Sequence, residues 1–209
     1  MNGGLFVTLE GGEGAGKSTL VKALSDYLTR GGHPVTTTRE PGGTELGERI
    51  RGLLLDGDEL AITPLAEMLL MFAAREQNLV EVVRPALARG EVVLCDRFTD
   101  ATFAYQGGGR GLGRESIAVL ARLVHNDLQP DLTLLLDLPV AEGFARISRA
   151  GPRDRMESES QAFYERVRAV YHERARSEPQ RFVVLDARAE PGTVARHAIA
   201  ALAARLETT

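Results

Sequence analysis

The sequence predicts an α/β protein with a doubly wound, mainly parallel sheet of five strands. Five short apolar runs alternate with segments in which apolar residues recur at helical spacing, which is typical of successive βαβ units. The chain has 209 residues, of which 44% are hydrophobic and 26% are charged, as in an ordinary globular protein. No repeat, low-complexity tract or linker divides it, so we expect residues 1–209 to form a single domain.

The expected strands are short, and turn-forming or charged residues bound them. They are Leu5–Glu10, Val35–Glu40, Glu91–Asp96, Leu132–Leu138 and Arg181–Asp186. The expected helices are Lys17–Arg30, a helix capped by Thr44 that ends near Leu55, a long helix from Thr63-Pro64 to Gly90 that bends at Pro85, Glu115–Asn126, 139–149, 158–178 and a last helix ending near Arg205. A glycine-rich loop is expected at Gly107–Gly113.

Charge and cysteine content restrict the function classes. The chain has 25 Lys+Arg against 29 Asp+Glu, a net charge of −4, which argues against a general nucleic-acid binder. The single cysteine, Cys95, forms no internal disulfide, which favours a reducing compartment. No apolar run approaches the roughly 18 residues of a membrane span, and no signal peptide is evident. We therefore expect a cytoplasmic protein without nucleic-acid or membrane partners.

The strongest motif follows the first expected strand. Residues 11–18, GGEGAGKS, fit the pattern G-x-x-x-x-G-K-[ST] between a strand and a helix. Glycines let backbone N–H groups point at phosphate oxygens, Lys17 reaches the β- and γ-phosphates, and the Ser18 hydroxyl can bind Mg²⁺. The expected ATP-binding residues here are Gly11, Gly12, Glu13, Gly14, Ala15, Gly16, Lys17, Ser18 and Thr19.

This motif alone does not distinguish a kinase from a GTPase or a motor ATPase. The chain has neither an Asp-x-x-Gly segment nor an Asn-Lys-x-Asp base-reading segment, which a GTPase would need, and it is short for a large ATPase. A small enzyme that phosphorylates a second small substrate fits better.

Two further groups of charged residues suit such an enzyme. Asp96 and Arg97 end the third expected strand, at the sheet edge where open α/β sheets bind ligands, so Asp96 could hold Mg²⁺ and Arg97 an acceptor phosphate; a structural ion pair is the alternative. Four arginines cluster around Gly151-Pro152, either as a solvated surface or as a lid over ATP at about 149–157. They are Arg146, Arg149, Arg153 and Arg155.

Four segments in order now point to a family. They are GGEGAGKS at 11–18, REPGGT at 39–44, DRF at 96–98 and YQGGGRG at 105–111. Together they closely resemble the bacterial thymidylate kinase (dTMP kinase) family, from Phe6 to about Val194. The resemblance implies a P-loop kinase fold with an arginine-rich lid. It also implies transfer of the γ-phosphoryl group from ATP to dTMP in dTTP synthesis, Mg²⁺ bound with ATP, and a homodimer.

The resemblance also implies roles for individual residues. Glu13 would approach the sugar 3′-hydroxyl, Tyr105 would pack near the deoxyribose, and Arg75 would hydrogen-bond thymine. Together with these three residues, the full set that the resemblance implies for dTMP binding is Glu13, Arg39, Arg51, Met71, Phe72, Arg75, Arg97, Thr102, Tyr105 and Gln106. The implied catalytic cations are Lys17, Arg97, Arg149, Arg153 and Arg155, with Arg146 binding ATP; Ser18 and Asp96 are the expected metal ligands.

The sequence departs from the family at one position. A phenylalanine that stacks on thymine commonly precedes the Arg75 position by four residues, and here that residue is Met71, followed by Phe72. Residues three and four before Arg75 can share its helix face, so either could cover the base; the alternative is that Met71 or Phe72 is simply a core residue. Two competing functions stay open: another nucleoside monophosphate or deoxynucleoside kinase, and a nucleotide-dependent switch or binding module.

Overall fold

The computed structural model describes residues 3–55, 61–126, 128–147 and 155–207. In these ranges the chain forms a five-stranded sheet in the order β2-β3-β1-β4-β5, and all four pairings are parallel. The strands are β1 (Leu5–Gly11), β2 (Val35–Arg39), β3 (Val92–Asp96), β4 (Leu132–Asp137) and β5 (Phe182–Asp186). The predicted α/β class and the predicted strands are confirmed, with ends that shift by one residue.

The α-helices flank this sheet. They are α1 (Lys17–Arg30), α2 (Glu45–Leu55), α3 (Pro64–Asn78), α4 (Arg84–Ala88), α5 (Thr99–Thr102), α6 (Arg114–His125), α7 (Val140–Ile147), α8 (Gln161–Ser177) and α9 (Pro191–Leu206). The predicted caps are present, since Thr63 Oγ1 accepts a hydrogen bond from Ala66 N at 3.4 Å and Thr44 Oγ1 accepts one from Gly47 N at 3.0 Å.

Two segments differ from the prediction by being π-helical. Leu79–Val83 joins α3 to α4, so the long helix changes its pitch before Pro85 rather than only bending there. Phe103–Gly109 continues α5, so the glycine-rich loop expected from Gly107 begins only after Gly109. A Cβ on Gly108 would lie 2.6 Å from the Val170 side chain of α8, and the glycines therefore allow this segment to pack closely on that helix.

The core lies on both faces of the sheet. On one face, α1 and α9 cover alternate residues of the central strands, including Val7, Leu9 and Leu134. On the other face, Phe6 and Val93 pack against the segment around Leu79, while α8 covers Leu135. Buried central strands of this kind bring the carboxyl ends of β1, β3 and β4 to one edge, where the loops meet. Within the described residues, no helix is long and apolar enough to span a membrane.

Candidate active site

The glycine-rich motif forms a tight loop between β1 and α1. Gly14 and Gly16 have positive φ values of 70° and 94°, and a Cβ on Gly14 would lie 2.7 Å from the Gly143 carbonyl oxygen of α7. Glycine is therefore required at position 14 for both conformation and space. The Lys17 ammonium lies over the loop and donates to Gly12 O at 2.9 Å and Gly11 O at 3.3 Å.

A carboxylate with one oxygen that is unpaired among the described residues lies beside this loop. Asp96 ends β3, and together with Ser18 at the start of α1 it lines a cleft of about 890 Å³ that also contains Lys17. Asp96 Oδ1 is buried and has no hydrogen-bond partner within the described part of the chain. A buried, unpaired carboxylate oxygen next to a hydroxyl is a favourable arrangement for a hard cation, so the predicted metal ligands Ser18 and Asp96 fit Mg²⁺.

Arg97 lies at the centre of the site in a strained conformation. Its φ is +73°, which is costly for a residue with a side chain and is found mainly where function requires it. One guanidinium nitrogen donates to Gly11 O at 3.0 Å, and the other contacts Glu13 Oε1 at 2.5 Å. Tyr105 also donates to Glu13 Oε1, at 2.9 Å. The predicted phosphate and sugar contacts thus form one hydrogen-bonded group.

Two nearby glutamates have opposite pKa shifts. Burial alone would raise the pKa of Glu13, but the charges of Arg97 and Lys17 outweigh it and lower that pKa to about 2. Burial and the neighbouring charge of Asp100 raise the pKa of Glu10 to about 8. Sequence analysis missed Glu10, whose carboxyl oxygens accept hydrogen bonds from Phe98 N at 2.7 Å and Tyr171 OH at 2.8 Å beneath the loop.

A second cleft, of about 590 Å³, opens next to Arg97. Of the ten residues predicted to bind dTMP, eight line it: Glu13, Arg51, Met71, Arg75, Arg97, Thr102, Tyr105 and Gln106. Arg39 lines the cleft that holds Lys17 instead, with an ion pair to Glu48 at 2.8 Å. Phe72 is buried in the core with Met68 and Ile117. Glu13, Arg51 and Arg97 line both clefts, which are therefore continuous.

Arg75 is the most buried cation of the second cleft, with 2% of its side chain exposed. It donates to Glu40 Oε2 at 2.7 Å and to Thr102 Oγ1 at 3.0 Å, and its guanidinium lies 4.8 Å from the Phe72 ring centroid. Its third nitrogen, Nη1, is buried without a partner among the described residues. Sequence analysis did not identify Glu40 as the counter-ion, although REPGGT contains it.

The predicted lid is only partly described. Arg149 and Arg153 lie outside the described residues. Arg155, predicted as a catalytic cation, donates to Leu54 O at 2.8 Å and to Glu67 Oε2 at 2.6 Å, so its contacts join α2 and α3. Arg146 donates to Gly14 O at 3.3 Å and Ala187 O at 2.9 Å, and it lines a third cleft, of about 510 Å³, together with Thr19.

Comparisons with known proteins agree with this geometry. A family model described as thymidylate kinase matches residues 9–198. The chain belongs to the thymidylate kinase family. A thymidylate kinase of Pseudomonas entomophila is 59% identical over 95% of this chain and 94% of its own, and one of Pseudomonas putida is 57% identical over 95% of both. The crystal structure of thymidylate kinase from Ehrlichia chaffeensis superposes with a TM-score of 0.79 at 34% identity, covering 96% of this chain and 99% of that one.

These findings confirm the predicted family, the P-loop kinase fold and the function as a thymidylate kinase, an ATP-dependent nucleoside monophosphate kinase. The residue roles remain predictions.

Proposed function

We propose that this chain transfers the γ-phosphoryl group of ATP to a 5′-phosphate oxygen of dTMP, giving dTDP and ADP, and that the two continuous clefts hold the two substrates. The observation that carries this proposal is Arg75. A guanidinium that is almost fully buried and keeps one donor unpaired needs an acceptor. The O4 carbonyl of thymine supplies that acceptor when the base enters the second cleft.

In this arrangement the acceptor nucleotide extends from Arg75 towards the phosphate-binding loop. Met71 lines the cleft and covers the thymine ring, whereas Phe72 supports the Arg75 guanidinium from the core. Glu13, which is ionised at neutral pH, accepts a hydrogen bond from the sugar 3′-hydroxyl. Tyr105 packs against the deoxyribose, and Arg51 and Arg97 bind the 5′-phosphate where the clefts join, with Arg39 approaching from the loop side.

ATP binds across the N-terminus of α1. The backbone of residues 11–16 and the start of α1 surround its phosphates, and the adenine lies beside Arg146 in the third cleft, next to Thr19. Ser18 and Asp96 would hold Mg²⁺, which would neutralise charge on the β- and γ-phosphates.

The chemistry needs positioned cations rather than a general base. The acceptor phosphate oxygen is already a nucleophile, so the main barrier is the repulsion between two anions. Lys17 moves from the carbonyl oxygens of Gly11 and Gly12 to the transferring group, and Arg97 keeps the acceptor phosphate in line with it. Arg149 and Arg153 of the lid supply further positive charge, while Arg155 anchors the end of the lid to α2 and α3.

The enzyme acts as a homodimer in the cytoplasm. Large apolar side chains are exposed on α2, α3 and α6, and α3 packs against both other helices. These side chains include Leu53, Leu65, Leu69, Val119 and Leu123. Leu123 has 78% of its surface exposed. Apolar residues grouped on packed helices are typical of a symmetric interface. Leu123→Arg should shift the mass measured by multi-angle light scattering from a dimer to a monomer, and an unchanged dimer would exclude this face.

The experiment that tests the proposed reaction is ADP release with ATP, Mg²⁺ and a panel of acceptors: dTMP, dUMP, UMP, CMP, AMP, GMP and thymidine. We expect rapid turnover of dTMP and weaker turnover of dUMP. Preferred turnover of thymidine or AMP would keep the kinase fold but overturn the acceptor site described above. Binding of ATP with no turnover of any acceptor would favour a nucleotide-dependent binding module.

A further inference from the structure

Glu67 of α3 is a buried carboxylate that the mechanism above does not use, with 1% of its side chain exposed. It accepts hydrogen bonds from three side chains of distant segments. Gln106 Nε2 lies 2.8 Å from Oε1, Arg110 binds both oxygens at 3.1 Å, and Arg155 Nη2 lies 2.6 Å from Oε2. This group thus joins α3, the π-helical segment and the end of the lid.

The two arginines keep Glu67 ionised. Burial alone would raise the pKa of this carboxyl, but the hydrogen bonds from Arg110, Gln106 and Arg155 outweigh burial and hold the pKa below its ordinary value. An ionised carboxylate can only accept hydrogen bonds. Gln106 must therefore turn its amide NH₂ group towards Glu67, which leaves the amide oxygen at the other end.

Gln106 lines the second cleft, where its amide oxygen adds a hydrogen-bond acceptor to the donor of Arg75. Within the described residues the Gln106 side chain makes a hydrogen bond through Nε2, to Glu67, which leaves Oε1 as the acceptor, and Arg75 Nη1 is a buried unpaired donor of the same cleft. One donor and one acceptor match a pyrimidine that carries a carbonyl oxygen at C4 and an N3–H group. Cytosine carries an amino group and a bare N3, so both its contacts would be reversed.

We propose that Glu67 is a positioning residue for base specificity, because it holds the Gln106 amide in the one orientation that accepts thymine or uracil and rejects cytosine. This inference rests on the proposed function, in which Gln106 faces the base. Glu67 itself does not contact the substrate.

The test is the Glu67→Gln variant, assayed for kcat/KM with dTMP, dUMP and dCMP. A carboxamide can either accept from or donate to Gln106, so the Gln106 amide becomes free to turn. We expect the dCMP-to-dTMP ratio of kcat/KM to rise about tenfold, the effect of one matched hydrogen bond. The dUMP-to-dTMP ratio should stay constant because these two bases share the same edge. An equal fall with all three acceptors would overturn the proposal.

The matched control is Arg110→Gln, which removes a charge partner of Glu67 but keeps the contact between Glu67 and Gln106. It should lower the melting temperature and leave the dCMP-to-dTMP ratio unchanged; a raised ratio would contradict the proposal. If Glu67→Gln does not fold, the double variant Glu67→Gln/Arg110→Gln leaves one arginine without the Glu67 charge, Arg155, instead of two, and the same ratio is the readout.

A further variant separates failure of this inference from failure of the proposed base site. Gln106→Ala should raise the dCMP-to-dTMP ratio if Gln106 faces the base. A ratio that Gln106→Ala leaves unchanged would mean that the base lies elsewhere and would overturn both proposals. A ratio that responds to Gln106→Ala but not to Glu67→Gln would overturn only the role of Glu67.

Discussion

The phosphate end and the base end of the site are built in different ways. At the phosphate end, one continuous stretch from Gly11 to Ser18 supplies the loop, the lysine and the hydroxyl, and its charges face a wide cleft. At the base end, Arg75 and Glu67 are buried and paired with residues 35 and 39 positions away, Glu40 and Gln106. In the proposed arrangement, phosphate binding therefore depends on local backbone geometry, whereas base selection depends on a buried ion pair and a buried hydrogen bond between elements.

If the base end depends on buried pairs, removing one partner should destabilise the whole fold. Arg75→Ala leaves Glu40 buried without its counter-ion, and we expect the free energy of unfolding to fall by about 3–5 kcal/mol in urea denaturation. Arg114→Ala removes the same side chain from an exposed pair with Glu173 and should cost about 0–1 kcal/mol. If the free energy of unfolding falls by a similar amount in Arg75→Ala and Arg114→Ala, the buried pair at the base end does not stabilise the fold more than an exposed pair does.

Substitutions at the phosphate end should lower the activity of the enzyme and leave its free energy of unfolding nearly unchanged. Lys17→Ala removes the cation that the proposed mechanism brings to the transferring group, and kcat should fall about 10²–10³-fold with little change in the KM for dTMP. Lys22→Ala is the matched control, because this second lysine of α1 is exposed and pairs only with Asp26 among the described residues. Wild-type kcat in Lys17→Ala would exclude the proposed role of the loop.

Glu10 lies beneath the phosphate-binding loop and Glu13 lies within it, and their contributions to stability should depend on pH in opposite directions. Burial and Asp100 raise the pKa of Glu10 from 4.5 to about 8, so the neutral form is the stable one in the fold. Its contribution to stability is complete below about pH 4.5 and is lost as the pH rises through about 8. Wild-type stability relative to Glu10→Gln, measured by urea denaturation, should therefore decrease between pH 5 and pH 8.

Glu13 should show the opposite sign. Burial opposes ionisation, but Arg97 and Lys17 lower its pKa from 4.5 to about 2, so its contribution is present above about pH 4.5 and is lost as the pH falls through about 2. Stability relative to Glu13→Gln should thus decrease on acidification. The free energy of unfolding of the wild type relative to each variant is plotted against pH. If the curves relative to Glu10→Gln and to Glu13→Gln change in the same direction with pH, the opposite pKa shifts are contradicted.

The smallest expected effect concerns the helix that carries both Arg75 and Glu67. Thr63 caps α3, and Thr63→Ala should lower the free energy of unfolding by about 1 kcal/mol, while Thr63→Ser keeps the cap and should change it by less. Because neither substitution touches the buried pairs, the preference for dTMP over dCMP should be unaffected in both. A changed preference would show that base selection responds to helix stability.

Much of the fold was accessible from the sequence. Apolar strands, the glycine-lysine motif and the caps at Thr44 and Thr63 are local patterns, and the structure contains them at the predicted places. The two π-helical segments and the short helix α5 were missed. Their hydrogen bonds follow from how the chain packs on neighbouring elements, and no periodicity over five to seven residues predicts them.

In the candidate site, too, local features could be predicted from the sequence, and contacts between distant segments could not. The sequence by itself determined the residues of the phosphate-binding loop, because a loop of this kind needs its glycines, lysine and serine in consecutive positions. The family resemblance also indicated Arg75, by its position, and Gln106, which lies in YQGGGRG, as residues for the base. Only the tertiary structure decided that Met71 lines the cleft while Phe72 lies in the core, and that Arg155 binds Glu67 at 2.6 Å across 88 residues of chain. The physical reason is that a buried charge must find its partner in space, and spatial proximity between distant segments leaves no regular spacing in the sequence.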